Sequence, residues 1–185
     1  AHDLQFEFRA TDFVQVNAAT NARLVDLALE SLQLGAEDRV LDLFCGLGNF
    51  SLPIARRARA VVGIEGEAGL VARARDNAAH NGLADSTSFQ VANLFEASPE
   101  NIGALGRFDR ILIDPPREGA VELIKTLGAL PSMRRIVYVS CDPGTLARDA
   151  AILTQTQGYM LRAAGIVNMF PHTSHVESMA VFEAS

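Results

Sequence analysis

The sequence predicts an α/β fold: a mostly parallel seven-stranded sheet, helices on both faces, and an antiparallel C-terminal strand. Two observations carry this. Short apolar runs alternate with stretches of helical periodicity, the pattern of strand–helix–strand units. The last two apolar runs, 159–167 and 176–183, have only a short stretch from Asn168 between them. A parallel crossover needs about a dozen residues or more, so these two strands pair antiparallel.

The elements follow in order. Residues 18–33 put Leu24, Leu27 and Ala28 on one helical face. A strand over 39–43 leads into a helix over 49–57, and a second strand covers 60–65. In the helix predicted over 67–81, Leu70, Val71, Ala74 and Ala78 share a face. Strands over 86–91 and 108–113 precede a helix over 119–129. The run Ile136-Val137-Tyr138-Val139 reads as a buried strand over 135–140, stopped by Asp142-Pro143 before a helix over 144–157. The first ten residues read as a strand or as the ragged end of an excised domain.

Composition bounds the rest. The chain has 185 residues, 49% hydrophobic and 21% charged, which fits a single domain over 1–185 with one sizeable core. No apolar run approaches the roughly 20 residues of a membrane span, and no signal segment opens the chain. Cys45 and Cys141 stand far apart, so neither a disulfide framework nor a zinc ribbon is expected, and a reducing cytoplasm is the simplest compartment. The net charge is −6, whereas a self-sufficient nucleic-acid binder is usually basic. Either the partner is not a polyanion or another domain makes most phosphate contacts. The runs Arg56-Arg57-Ala58-Arg59 and Arg134-Arg135 read as solvated surface, with backbone phosphate as the alternative.

Asp42-Leu43-Phe44-Cys45-Gly46-Leu47-Gly48-Asn49-Phe50-Ser51 spans strand, glycine loop and helix. Glycines let a backbone approach a ligand, and a helix N-terminus favours a polar or anionic group. The next strand ends in Glu65, where an acid accepts hydrogen bonds from ribose hydroxyls. This order favours an adenosine-type ligand over an empty turn. A dinucleotide fingerprint asks for glycine or alanine where this chain has Ser51, which disfavours NAD. Asp42 with Phe44-Cys45-Gly46-x-Gly48 resembles the first motif of S-adenosylmethionine-dependent methyltransferases, whose fold is Rossmann-like. Asp42 reads alternatively as a cap for the loop's backbone donors.

Three further sites lie at strand ends. Asp114-Pro115-Pro116-Arg117 is a stiff loop, suited to holding a carboxylate near chemistry or simply to turning the chain. Arg117 stands where amino-group methyltransferases often carry an aromatic residue, which argues against exocyclic-amine chemistry. Cys141 ends a buried strand, where open α/β sheets bind ligands, so it reads as a nucleophile or as core filling. Glu177 is a carboxylate just inside an apolar strand, where burial raises its pKa and suits it to moving protons. His172 and His175 lack a nearby third ligand, so no metal site is expected there.

Taken in order, the Phe13-Val14-Gln15-Val16-Asn17 segment, Asp42 to Phe50, Asp114 to Arg117, Ser140 to Asp149 and Met169 to Glu177 make the chain similar to the catalytic domain of the RNA uracil-C5 methyltransferases. Within that family it most resembles the branch acting on 23S ribosomal RNA. The resemblance implies Cys141 as nucleophile and Glu177 as the base removing the C5 proton. It implies S-adenosylmethionine contacts at Gln15, Phe44, Gly46, Asn49, Glu65, Asn93 and Asp114. Arg117, Phe170 and His172 are candidate contacts to a flipped-out base. N-terminal RNA-binding and iron–sulfur regions are usual in such proteins and lie outside this chain, which reads as a C-terminal fragment. The chain departs from the family at Asp142 and Asn168, where Asn and Asp are common. An extra negative charge at Asp142 is expected to oppose thiolate formation at Cys141. Competing readings are a transfer-RNA uracil-C5 enzyme, a cytosine-C5 methyltransferase and a cofactor-binding module without catalysis.

Overall fold

A computed structural model describes residues 2–9, 17–130, 133–168 and 176–185. Its seven strands are β1 (Arg39–Leu43), β2 (Ala60–Glu65), β3 (Thr87–Val91), β4 (Arg110–Ile113), β5 (Arg135–Ser140), β6 (Tyr159–Val167) and β7 (Glu177–Ala184). They form one sheet in the order β3-β2-β1-β4-β5-β7-β6. β1 to β5 pair in parallel, and β7 is antiparallel to both β5 and β6, as the short final connection predicts. The chain moves outward from β1 to β3, then returns to place β4 on β1's other side. That reversal leaves a crevice between the carboxyl ends of β1 and β4, the usual ligand position in open α/β sheets.

Strand alternation sorts the core. In β5, Ile136 and Tyr138 face one layer while Val137 and Val139 face the other. The first layer is covered by α5 (Val121–Thr126) and α6 (Pro143–Gln155), through Leu123, Ile124, Leu146 and Leu153. The second is covered by α1 (Ala18–Leu32), through Leu24, Val25, Ala28, Leu29 and Leu32, and by Ile54 and Ala55 of α2 (Ser51–Ala55). The Arg110 and Arg135 side chains donate to the carbonyls of Ser31, Leu32 and Gln33, supplying cations to the end of α1 where its dipole is negative. α3 (Ala68–His80) packs Val71, Ala74 and Ala78 against Cys45, Leu52 and Phe89.

Several boundaries differ from expectation. The helix predicted over 49–57 is only Ser51–Ala55, because the turns of the glycine loop continue through Phe50. Phe108 and Asp109 precede β4 rather than extending it: Phe108 is buried beneath the Arg39 guanidinium, and the Asp109 carboxylate accepts from the Arg39 N–H. A 3-10 turn over Leu127–Ala129 ends the helix predicted to reach 129. Periodicity missed a 3-10 turn at Leu94–Glu96 and α4 (Pro99–Gly103), both too short to show a repeat. Residues 2–9 are neither helix nor strand. Their backbone pairs with two amides on α3 instead: Gln5 N–H with Asn81 Oδ1 (2.9 Å) and Glu7 N–H with Asn77 Oδ1 (2.8 Å). Among the described residues no helix is long and apolar enough to cross a membrane.

Candidate active site

At the end of β1 the chain folds back over β2: the N–H groups of Phe44 and Cys45 both donate to Ile64 O, at 2.9 and 3.0 Å. Phe44 holds a left-handed backbone (φ +65°), strained for a bulky residue, before Gly46 (φ +55°) and Gly48 (φ +96°). The Phe44 ring meets Phe95 at a centroid distance of 5.6 Å, and both rings line a cavity of about 730 Å³. That volume suits a cofactor-sized molecule.

Polar groups fix the loop. Glu65 accepts from Gly46 N–H (3.1 Å) and Glu67 N–H (3.0 Å), so it braces the glycine loop as well as facing the cavity. Asn49 makes a reciprocal amide pair with Asn21 of α1, at 3.0 and 3.1 Å. Asn77 also donates to Leu47 O (3.2 Å), joining α3, residues 2–9 and the loop through one side chain. Asp42 is fully buried behind the loop, and Ser51 gives it a hydroxyl hydrogen bond (2.5 Å) and a backbone one. Burial, opposed by Ser51 and reinforced by Glu65, pushes the Asp42 carboxyl up to about 7. These bonds go to Ser51, the first residue of α2, and not to the glycine-loop donors of the cap reading. Ser51, which broke the dinucleotide pattern, is the partner this buried acid needs.

Cys141 follows the last residue of β5, and Glu177 opens β7. The register pairs Ser140 with Ser178, so Cys141 and Glu177 are the next facing positions, beside the carboxyl ends of the parallel strands. Both line the same cavity as Glu65 and Asn93. Glu177 is 5% exposed, and burial raises its carboxyl. The Cys141 thiol is raised by burial first and then by the Glu177 charge. The Arg117 guanidinium lowers it by a hydrogen bond and by its charge, and Asp114 adds a smaller raising contribution. Asp114 itself is pushed up to about 8 by desolvation, with Glu177 and Asp42 adding to it.

Phe44, Gly46, Asn49, Glu65, Asn93, Asp114, Arg117, Cys141 and Glu177 thus converge on one cavity. Gln15, Phe170 and His172 lie outside the described residues. Asn93, expected only from its place after a strand, accepts from Phe95 N–H (3.1 Å) and starts the turn that sets the Phe95 ring. Two placements bear on the sequence reading. Arg117, a candidate contact to a base, lines the cavity with Cys141, and its guanidinium favours the thiolate there. Asp142, expected to oppose the thiolate, directs Oδ1 to Gly144 and Thr145 N–H at 2.8 and 3.1 Å, capping α6, and is not among the groups that raise the thiol. Sequence reasoning missed Asn21, Asn77 and Phe95, whose partners are remote in the chain; only an Asn, Asn or Phe in an otherwise unremarkable stretch marked them. Among the described residues no three His, Cys, Asp or Glu side chains converge as a metal site.

The family model described as tRNA (uracil-5-)-methyltransferase matches residues 1–97 and 103–185. The chain is 60% identical over 180 residues to the 23S rRNA (uracil(1939)-C(5))-methyltransferase RlmD of Dechloromonas aromatica, covering 97% of this chain and 41% of that protein. It is 58% identical over 181 residues to the protein of the same description from an Azoarcus species, covering 98% and 42%. It spans about two fifths of the length of these curated relatives. Among solved structures, the Pyrococcus abyssi tRNA (uracil-54, C5)-methyltransferase in complex with S-adenosyl-L-homocysteine superposes with a TM-score of 0.82 at 32% identity, over 97% of this chain and 42% of that one.

Proposed function

The chain belongs to the tRNA (uracil-5-)-methyltransferase family, and from that premise we propose that it methylates C5 of a uridine in RNA, 23S ribosomal RNA being the favoured class. The observation that carries this is the facing of Cys141 and Glu177 across one cavity with Glu65, Asn93 and the glycine loop. A cofactor-binding module needs neither a nucleophile nor a base there. Ribosomal over transfer RNA is favoured by 60% identity to an enzyme of the first kind against 32% to one of the second.

S-adenosylmethionine supplies an electrophilic methyl group and leaves as the thioether. The cavity suits it: Glu65 offers carboxylate oxygen to ribose hydroxyls, Phe44 and Phe95 offer apolar faces to a purine, and Asn93 offers an amide to its edge. Asn49, Gly46 and Asp114 line the rest, and Gln15 completes the proposed contacts.

Uracil C5 is a poor nucleophile until C6 is attacked. The Cys141 thiolate forms a bond to C6, and the C5–C6 π pair moves into the C4 carbonyl as an enolate. C5 then bonds to the methyl carbon. The Glu177 carboxylate removes the C5 proton, the C5–C6 double bond re-forms, and the Cys141 thiolate leaves. Burial suits Glu177 to this by raising its proton affinity. Arg117 favours the thiolate form, while Phe170 and His172 remain proposed contacts to the base. RNA affinity resides largely in parts of the protein beyond this chain, consistent with a net charge of −6.

RNA containing 5-fluorouridine tests the reading, since fluorine cannot leave as a proton. Full-length protein with S-adenosylmethionine is expected to give a denaturation-resistant protein–RNA adduct that Cys141→Ala abolishes. No adduct, or one that survives the substitution, refutes it.

A further inference from the structure

Behind the cavity wall that carries Arg117 and Cys141 lies a buried carboxylate that the methyl-transfer chemistry does not use. Asp149 sits on α6 with no exposed surface. Its Oδ2 accepts from the backbone N–H of Ala120 (2.8 Å) and the hydroxyl of Tyr138 (2.6 Å). Its Oδ1 accepts from Arg148 Nε (2.9 Å), and Arg148 Nη2 reaches the carbonyl of Glu118 (2.8 Å). One carboxylate therefore joins three pieces of chain: β5, which ends just before Cys141; α6, which begins just after it; and residues 118–120, which follow Arg117.

The loop is pressed onto this carboxylate. Gly119 has φ +76°, and a Cβ there would stand 2.5 Å from Arg148 Nη2 and 2.8 Å from Asp149 Oδ2. Gly119 N–H closes a turn onto Pro116 O (2.9 Å), and Pro115-Pro116 stiffen the other side. Arg117 hangs between two fixed points, an exposed residue that lines the same cavity as Cys141 and whose guanidinium lowers the thiol. A charged hydrogen bond weakens steeply with misalignment, so whatever holds residues 118–120 also sets how well Arg117 meets the sulfur.

We propose that Asp149 is a positioning residue for the nucleophile, locking residues 118–120 onto α6 so that Arg117 stays beside Cys141 in the shared cavity. The inference rests on Cys141 being the nucleophile, and its test needs neither RNA nor methyl donor. The charged groups facing the thiol are Glu177 of β7, Asp114 at the end of β4, and Arg117. Asp149 faces Tyr138 and Arg148, and acts on the sulfur only through the loop.

The experiment is iodoacetamide alkylation of the full-length protein across pH, read by mass spectrometry on the Cys141 peptide; Cys45 is 4% exposed and serves as the folding control. Asp149→Asn is expected to move the Cys141 profile to higher pH, with alkylation at pH 7 about threefold slower. In an Arg117→Ala background the same substitution is expected to add nothing. Arg148→Ala, at a side chain 46% exposed, spares the core and is expected to move the profile the same way by less. An unchanged profile in folded Asp149→Asn overturns the proposal, as does a shift that persists without Arg117. If Asp149→Asn fails to fold, an unchanged profile in Arg148→Ala overturns it. Shifted thiol profiles in a protein that forms no 5-fluorouridine adduct would refute the proposed reaction, and with it the nucleophile's role, and leave only Asp149's hold on Arg117 beside the Cys141 thiol.

Discussion

Gly63 lies mid-strand in β2, between Asp42 of β1 and Phe89 of β3 in the sheet register. A Cβ at this position would come within 2.6 Å of Phe89 Cδ1 and 2.8 Å of Cys45 Sγ. Ordinary carbon contacts lie at about 3.5–4.0 Å, so roughly 1 Å must be found on two sides at once. The β2 backbone is paired on both edges and cannot supply it. Overpacking of this kind costs about 1–3 kcal/mol. For a domain of this size each kcal/mol lowers Tm by about 2–4 °C, giving an expected drop of about 2–12 °C for Gly63→Ala. Function is expected to follow, because Cys45 leads directly into Gly46, whose N–H rests on Glu65. A displaced Cys45 should weaken S-adenosylmethionine binding measured by calorimetry. Phe89→Leu should reduce the penalty of Gly63→Ala, since contacting residues couple by about 0.5–3 kcal/mol. An unchanged Tm and cofactor affinity in Gly63→Ala would refute the reasoning.

Glu177→Gln removes both the proposed base and a charge that raises the thiol. Adduct formation at neutral pH is expected to be no slower than wild type while release of 5-methyluridine stalls, and normal turnover would remove Glu177 from the base role. Because the thiol lies above its ordinary range, the adduct rate in wild type should climb with pH into the alkaline region; a plateau below pH 7 would contradict this. Asp42 has a carboxyl raised from 3.8 to about 7, so between those values the folded state holds a proton that the unfolded state has released. Stability contributed at low pH is lost across that window as pH rises, and Asp42→Asn should gain on wild type from about pH 4 to pH 7 in denaturant titrations and stay level above it. Asn77→Ala strands the Glu7 N–H and Leu47 carbonyl, at a cost of about 1–3 kcal/mol, and should speed proteolysis within residues 2–9.

The strands were legible because each is a short apolar run bounded by turn residues, and much of the cavity lining was legible because Cys141, Asp114 and Glu65 stand at the ends of such runs. Glu177 was legible for the opposite reason, a charge where the strand pattern wants an apolar side chain. Strand order was not: nothing in a local window says that β7 lies between β5 and β6. Nor was the convergence of Arg117 with Cys141 on one cavity, since that depends on the loop reaching across from β4 to β5. The Asn77 and Asn81 amides looked like ordinary polar positions on a helix, because their partners are backbone groups some 70 residues away. Asp149 belonged to a motif whose pattern marks it without saying what it holds.

β7 is threaded between two strands that both precede it in sequence. During synthesis, therefore, β5 and β6 exist before the strand that joins them. Until Glu177–Ala184 emerges, β5 presents an open edge of buried-type residues, and open edges invite association with other chains. The same late insertion brings Glu177 opposite Cys141. A ribosome-bound or truncated product ending before residue 177 would carry Cys141 without the proposed base. The proposed catalytic pair is therefore completed only when the sheet is, so the last strand to emerge is also the one that closes the candidate site.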